Sequence, residues 1–283
     1  MASARLLLGL LGYPISHSAA PAMMEAAAAS VGIDARYHLI ALRDATDDAI
    51  RRVLDGVRLI GFAGINVTFP YKQAVIPHLD ALDDGATRIG AVNCVTVRDG
   101  RLTGHNTDST GFLAGLRAAI GDALPTGPAV LIGAGGAGRA IAWALSQAGV
   151  PEVRVVDQDP SRAAALAREA SAWGTARFVA GASAVEAAAG AAGIVNASPA
   201  GMLPDTSSPI PDAALAGATW VADAVYHPPE TPLLRAAAAR GLRLMPGREM
   251  SVAQAEDGFR LFTGRTAAPG AIAAAFDRHV GGR

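Results

Sequence analysis

A glycine-rich segment, residues 133–138, carries the clearest chemical signal in the chain. It follows the apolar run 129–132, fits the pattern GxGxxG and leads directly into a helical sequence; its members are Gly133, Ala134, Gly135, Gly136, Ala137 and Gly138. Glycines at this spacing let backbone N–H groups approach a pyrophosphate, and the positive end of the helix dipole favours its charge. We therefore predict a dinucleotide site, the alternative being a plain strand–turn–helix connection.

The next predicted strand, 152–157, ends in a carboxylate that could bind the ribose of that dinucleotide. Asp157 stands where an acidic side chain accepts hydrogen bonds from the ribose hydroxyls of NAD, and it would repel the 2′-phosphate of NADP. We expect Asp157 and Arg162 at the cofactor, with NAD preferred and NADP left open. Ala197 and Ser198, in a turn-rich loop after a later strand, are expected at the same cofactor. The alternative for Asp157 is a cap on the turn that follows it.

Lys72 and Asp108 supply an ammonium group and a carboxylate for the reaction itself. Polar side chains that a soluble core would not choose accompany them, among them Asn66, Thr68 and Asn93. Beside a nicotinamide, an ammonium and a carboxylate can polarise a carbonyl group, protonate it on reduction and keep the proton donor oriented. From spacing alone, a solvated Lys72 and a helix-capping Asp108 remain the alternative.

Other catalytic classes lack the residues that they need. No tyrosine is followed four positions later by lysine, so the Tyr-x-x-x-Lys device of short-chain dehydrogenases is absent. Cys94 is the single cysteine, and the six histidines show no HExxH spacing, so we predict no metal site and no internal disulfide. Lys plus Arg number 24 against 25 for Asp plus Glu, and the formal charge of −1 provides no basic stripe for nucleic acid.

Apolar runs alternate with alanine-rich helical stretches along the chain, which predicts βαβ units, a parallel sheet and an α/β fold. The predicted strands are 6–11, 35–42, 64–67, 92–98, 129–132, 152–157, 194–197, 220–223 and 243–245. The predicted helices are 21–31, 47–54, 70–78, 107–120, 136–148, 160–172, 231–240 and 250–262.

The length of 283 residues, 51% of them hydrophobic, predicts two globular domains. The apolar run 6–11 is interpreted as a buried first strand, the alternative being the core of a signal peptide. No apolar run reaches the roughly 18 residues that a membrane span would need. We expect a cytoplasmic protein, a monomer or homodimer, that binds a small molecule and neither nucleic acid nor a membrane.

Taken in order, a larger set of motifs resembles the shikimate dehydrogenase family over essentially the whole chain. The motifs are Pro14-Ile15-Ser16-His17-Ser18, Ile65-Asn66-Val67-Thr68 with Pro70 and Lys72, Gly90-Ala91-Val92-Asn93, Asn106-Thr107-Asp108, the glycine-rich segment, Asn196-Ala197-Ser198, Asp223-Ala224-Val225-Tyr226, and Gly247 with Met250 and Gln254. Within the family, Asp157, the segment 71–73 and the segment 259–264 are most similar to bacterial NAD-dependent quinate/shikimate dehydrogenases.

The resemblance implies a reversible hydride transfer between a nicotinamide and a ring hydroxyl or ketone of a cyclohexene or cyclohexane carboxylate, as in the shikimate pathway of aromatic amino acid biosynthesis. It implies an N-terminal α/β substrate domain, 1–110 completed by 247–283, and a Rossmann domain with a doubly wound parallel sheet, 111–246. Lys72 and Asp108 match the catalytic pair. The positions that match substrate contacts are Ser16, Ser18, Asn66, Thr68, Asn93, Tyr226 and Gln254. Further cofactor positions are Val225, Gly247 and Met250.

Three places depart from the family pattern, and in one of them Asp157-Gln158-Asp159 replaces an Arg-containing segment that binds NADP in the family. Ala20 stands where the family usually has a hydroxyl residue, two places after Ser18, and Ser109 replaces a usual glycine. A missing donor to the substrate carboxylate would weaken binding by about 1.5–3 kcal/mol, or it would make room for a bulkier group. A paralogue acting on a related ring acid such as aminoshikimate is therefore an alternative function, and a non-catalytic dinucleotide-binding sensor is another.

Overall fold

The computed structural model describes residues 5–43, 46–122, 124, 126–174 and 176–282, and it divides into two compact units. The first unit contains the residues up to Thr107 and those from Gln254 onward, and the second is Asp108–Ala253. Helices α4 (Thr107–Ile120) and α9 (Gly247–Thr263) each contain one of the two boundaries. None of the described helices is long and apolar enough to cross a bilayer.

The first unit is built on a mixed six-stranded sheet with the order β2-β1-β3-β5-β6-β4. Its strands are β1 Leu6–Gly12, β2 Ala35–Ala41, β3 Gly64–Val67, β4 Ala81–Leu82, β5 Cys94–Arg98 and β6 Arg101–His105. The first three strands are parallel, as predicted, but β5 is antiparallel to β3 and to β6. Asp99 and Gly100 join β5 to β6 with φ values of 50° and 72°, a two-residue turn that connects only antiparallel strands. The sheet of this unit is therefore mixed, with the predicted parallel arrangement in β1, β2 and β3.

The helices of the first unit enclose this sheet. They are α1 Ala20–Ser30, α2 Asp47–Ile60, α3 Asp84–Ile89 and α10 Ala271–Gly281. Capping residues determine where helix α2 begins and ends. The Thr46 side chain caps its N-terminus by accepting the Ala49 N–H, and Gly61 ends it in a left-handed conformation. Helix α10 buries Ile272 and Phe276.

The prediction of a helix over 70–78 is wrong. The segment forms a series of turns that ends in a short 3₁₀-helix, Ile76–His78. In a helix the Lys72 carbonyl would accept the N–H of Ile76, but it accepts the Val92 N–H instead, and Ile76 donates to Gln73. Pro77, inside the predicted span, has no N–H to donate. Lys72 therefore lies on a turn that is hydrogen-bonded to another chain segment.

The second unit contains six parallel strands in the order β12-β11-β10-β7-β8-β9. The strands are β7 Ala129–Ile132, β8 Glu152–Val156, β9 Arg177–Ala180, β10 Gly193–Asn196, β11 Trp220–Asp223 and β12 Arg243–Met245. The other helices are α5 Gly136–Gln147, α6 Pro160–Ser171, α7 Ala184–Ala188 and α8 Pro232–Ala238. Read from β9, this is the 3-2-1-4-5-6 order of the doubly wound dinucleotide-binding fold. The predicted α/β architecture is thereby confirmed.

Candidate active site

Four polar side chains of the first unit form one network, in which Asn66, Asn93 and Thr107 are buried and Gln254 is partly buried. Asn93 donates from Nδ2 to Thr107 Oγ1 at 2.9 Å, and its Oδ1 accepts the Thr107 N–H at 2.7 Å. Asn66 donates from Nδ2 to the Asn93 carbonyl at 3.2 Å, and Thr107 Oγ1 lies 3.4 Å from Gln254 Oε1. Because each amide contacts a different chain segment, strand β3, the residue that precedes β5, and helices α4 and α9 hold these groups in fixed directions.

Lys72 and Asp108 are each attached to this network through the backbone. The Val92 N–H donates to the Lys72 carbonyl at 2.7 Å, and Val92 directly precedes Asn93. Asn93 in turn binds Thr107, which directly precedes Asp108 at the start of α4. The Asp108 side chain is buried. Two hydrogen bonds and two peptide bonds therefore link the turn carrying the amine to the helix end carrying the acid.

The predicted serine and threonine contacts lie on two loops of the same unit. Ser18 Oγ accepts the Ala20 N–H at 3.2 Å, which leaves the hydroxyl hydrogen of Ser18 to donate elsewhere, whereas Ser16 is exposed. A Cβ placed at Gly12 would lie 2.3 Å from Cγ2 of Thr68, so glycine is required for these two loops to approach each other. Ala20 begins α1 and has no hydroxyl group to offer.

The glycine-rich segment of the second unit lies between β7 and α5, at the point where the strand order reverses. A Cβ at Gly138 would lie 2.0 Å from the Gly133 carbonyl oxygen, so this glycine is required by the turn itself. A Cβ at Gly135 would meet nothing within 4 Å. Gly135 caps α5, where N–H groups lack helical partners, so the open space there fits a pyrophosphate.

The carboxylate of Asp157 accepts two backbone hydrogen bonds. Its Oδ2 accepts the Ala134 N–H at 2.7 Å, which anchors the glycine-rich segment, and its Oδ1 accepts the Asp159 N–H at 2.9 Å, which caps the turn. Each carboxylate oxygen can accept a second hydrogen bond, so ribose hydroxyls are compatible with this geometry. Arg162 is exposed and forms a 3.6 Å ion pair with Asp159.

The buried carboxylate of Asp223, for which no role was predicted, connects the loops that follow β10 and β11. Asp223 Oδ1 accepts hydrogen bonds from Asn196 Nδ2 and from the Val225 N–H, both at 2.9 Å, and Oδ2 accepts one from Thr231 Oγ1 at 2.6 Å. Burial raises the pKa of Asp223 to about 6, although these three donors oppose that rise. The sequence signals at this position were an acidic residue ending an apolar strand and its place in the motif Asp223-Ala224-Val225-Tyr226.

The predicted residues Ala197, Ser198, Val225 and Tyr226 lie in the two loops that Asp223 connects. Asn196 Oδ1 accepts both the N–H and the hydroxyl of Ser198, at 3.0 and 2.7 Å. Gly247 begins α9, and a Cβ there would lie 2.5 Å from the Val225 carbonyl oxygen. Met250 follows in the same helix and is buried.

The doubly wound sheet and its glycine-rich turn define a dinucleotide-binding protein with an additional α/β unit. A sequence model for the shikimate dehydrogenase substrate binding domain matches residues 10–95, and a model described as NADP oxidoreductase coenzyme F420-dependent matches residues 129–224. A quinate/shikimate dehydrogenase (NAD(+)) of Corynebacterium efficiens is 45% identical over 270 residues, which cover 92% of this chain and 93% of that protein. This chain belongs to the shikimate dehydrogenase family.

Solved structures agree with this assignment. Quinate dehydrogenase from Corynebacterium glutamicum in complex with NAD is similar with a TM-score of 0.88 and 39% identity, covering 96% of this chain and 98% of that chain. Shikimate 5-dehydrogenase from Thermus thermophilus in complex with NADP(H) and shikimate has a TM-score of 0.85 and 39% identity, covering 97% and 99%. The resemblance inferred from the sequence motifs is confirmed.

Proposed function

We propose that this protein transfers hydride reversibly between NAD(H) and a ring hydroxyl or ketone of shikimate or quinate. The observation that carries the proposal is the buried polar network of the first unit, to which both Lys72 and Asp108 are attached through the backbone. Amide and hydroxyl groups of this kind suit a ligand that carries several hydroxyl groups. The family relatives named above act on such ring acids.

The composition of the chain supports Lys72 as the proton donor. Lys72 is the only lysine, although Lys and Arg together number 24. An arginine keeps its proton in proteins, whereas a lysine can donate a proton and regain it. The one lysine ammonium group of the chain therefore lies on the turn that is hydrogen-bonded to the polar network.

In the reductive direction, Lys72 donates a proton to the ketone oxygen while the carbonyl carbon receives hydride, so that O–H and C–H bonds form as the C=O π bond breaks. When bound, NADH supplies that hydride. Asp108 orients the ammonium group and accepts a hydrogen bond from a neighbouring ring hydroxyl. In the oxidative direction, Lys72 as the neutral amine takes the proton of the ring hydroxyl.

Binding is divided between two parts of the chain in this proposal. Residues 1–110 with 247–283 form the substrate domain, and residues 111–246 form the cofactor domain. The side chains that bind the ring acid are Ser16, Ser18, Asn66, Thr68, Asn93, Tyr226 and Gln254. The backbone of 133–138 binds the pyrophosphate and Asp157 the adenosine ribose, with further cofactor contacts from Arg162, Ala197, Ser198, Val225, Gly247 and Met250.

A paired kinetic comparison tests the proposal. We expect turnover with shikimate or quinate, and a higher kcat/KM with NAD than with NADP, because a 2′-phosphate would meet the carboxylate of Asp157. A kcat/KM for NADP at or above that for NAD would contradict the cofactor assignment. The absence of turnover with every ring acid would instead favour a dinucleotide-binding sensor.

Ala20 favours one second candidate, a paralogue acting on a related ring acid such as aminoshikimate. The Ala20 backbone N–H is bound to Ser18, and its methyl group offers no donor to a carboxylate. Measuring shikimate, quinate and an amino analogue at fixed NAD separates the two candidates. Equal rates on shikimate and quinate would argue against a narrow paralogue.

Two further assignments stay predictions from the sequence. They are a cytoplasmic location and a monomeric or homodimeric state.

A further inference from the structure

The hydroxyl group of Tyr37 reaches one of the proposed substrate contacts. Tyr37 lies on edge strand β2, Asn66 lies on β3, and β1 runs between them. Tyr37 Oη donates to Asn66 Oδ1 at 2.9 Å, and both residues are only 7% exposed. The two side chains therefore meet across one face of the sheet.

This hydrogen bond determines which way the amide of Asn66 points. Burial raises the pKa of Tyr37 well above its ordinary range, so the phenol remains a donor and requires an acceptor. On the other side, Asn66 Nδ2 donates to the Asn93 carbonyl at 3.2 Å. Turning the amide over would place Oδ1 against that carbonyl, so two acceptors would face each other. Tyr37 and Asn93 thus favour the same orientation.

The fixed orientation decides what Asn66 can offer to a ligand. The amide nitrogen has two N–H groups, and only one of them is engaged, by Asn93, within the part of the chain that the structure describes. Oδ1 already accepts the tyrosine hydroxyl. Asn66 is therefore set to donate an N–H to an oxygen atom of the ligand rather than to accept from it.

We propose that Tyr37 is a positioning residue that fixes the Asn66 amide with its N–H directed to the ring acid. The proposal rests on the proposed function, because it names what orients one of the substrate contacts. A purely structural tyrosine would affect stability and leave substrate affinity unchanged. A positioning tyrosine would change substrate affinity through Asn66 and through no other residue.

Tyr37→Phe removes the hydroxyl and keeps the ring. We expect the KM for the ring acid to rise about 3- to 10-fold, the range that one neutral hydrogen bond supports, with kcat and the KM for NAD within twofold of wild type. The matched control is Tyr71→Phe, because the buried Tyr71 hydroxyl donates to the Leu42 carbonyl in the same unit, without contacting Asn66. An unchanged KM in Tyr37→Phe, or an equal rise in the control, overturns the proposal.

A double-mutant cycle shows whether the effect passes through Asn66. In an Asn66→Ala background, Tyr37→Phe should cause no further rise in KM, because no amide remains to be oriented. If the two effects on KM multiply, Tyr37 acts by another route and the proposal is wrong.

A further variant keeps the test decisive if Tyr37→Phe does not fold. Asn66→Asp retains an acceptor for Tyr37 but has no N–H to donate, so the KM for the ring acid should rise at least tenfold. An unchanged KM would overturn the proposal. Wild-type turnover with shikimate or quinate is measured first, since its absence refutes the proposed function itself, whereas the outcomes above concern only Tyr37 and the orientation of the Asn66 amide.

Discussion

The backbone and the side chain of Lys72 have different functions in this proposal. Its carbonyl fixes the turn by accepting the Val92 N–H, and the proposed function assigns proton transfer to its side chain. Because the backbone contact does not depend on the side chain, substitutions at this position test the ammonium group without removing the hydrogen bond that holds the turn.

We expect Lys72→Ala to lower kcat by about two to four orders of magnitude, the usual contribution of a positioned proton donor, with little change in KM. Lys72→Arg is the matched variant, because arginine keeps the positive charge but does not release its proton. Steady-state kinetics with the ring acid measures both. If Lys72→Arg retains most of the wild-type kcat, the lysine acts through its charge alone and the assigned proton transfer is wrong.

The buried carboxyl of Asp223 makes stability depend on pH in a definite direction. Its folded pKa of about 6 lies above the ordinary value of 3.8, so folding favours the protonated form. The contribution of this group is greatest below about pH 4 and falls by about 3 kcal/mol as the pH rises to 6. The test compares free energies of urea unfolding for wild type and Asp223→Asn from pH 4 to 7.5.

The difference in the free energy of unfolding between wild type and Asp223→Asn should change between about pH 4 and 6 and stay constant above that range. Other titrating groups are common to both proteins and cancel in the difference. A difference that is flat over the whole range would show that Asp223 is already ionised at low pH in the folded protein.

At the scale of elements, the glycine-rich turn contains two glycines with different purposes. The turn needs Gly138 for its own geometry, whereas a Cβ at Gly135 would project into open space at the start of α5. Substitutions at Gly138 therefore test the stability of the turn, and substitutions at Gly135 test its proposed binding of the pyrophosphate.

Gly138→Ala should lower the melting temperature, because its Cβ would lie 2.0 Å from the Gly133 carbonyl oxygen. Gly135→Ala should leave the melting temperature within about 2 °C of wild type and raise the Kd for NADH at least tenfold, because its methyl group would occupy the space assigned to the pyrophosphate. Thermal unfolding and NADH fluorescence titration measure the two quantities. Unchanged NADH affinity in Gly135→Ala would place the pyrophosphate elsewhere.

The elements that could be predicted from the sequence are those with strong local signals. Strands β3, β7, β11 and β12 were predicted with the bounds that the structure shows, since each is a short, largely apolar run between turn residues. Strand β6 was missed, although the Asp99-Gly100 pair before it is a strong hairpin signal. Helix α10 was also missed.

The hydrogen bonds of the polar site could not be predicted from local sequence patterns. The glycine-rich turn was found because its residues are consecutive. The bond from Tyr37 to Asn66 depends on the register of three strands, and the link from Asp223 to Asn196 depends on which strands are neighbours. Neither hydrogen bond can be predicted from a short sequence segment, because its two residues are far apart in the chain. Both are evident only from the structure.

At the scale of the whole molecule, the chain leaves the first unit after Thr107 and returns to it at Gln254. The second unit is continuous, whereas the first needs the C-terminal segment to complete its core. Arg98 shows how that segment is held, since its guanidinium donates to the carbonyls of Leu261 and Phe262. Damage at the C-terminus should therefore affect one unit more than the other.

A chain shortened after residue 265 lacks α10 and its buried residues Ile272, Ala275, Phe276 and Val280. We expect loss of turnover with ring acids, because burial of these side chains stabilises the first unit, while the Kd for NADH stays within about threefold of wild type. A chain shortened after Val280 retains nearly all of α10 and serves as the control. Simultaneous loss of NADH binding would show that the two units unfold together, and retained turnover would show that the first unit does not need α10.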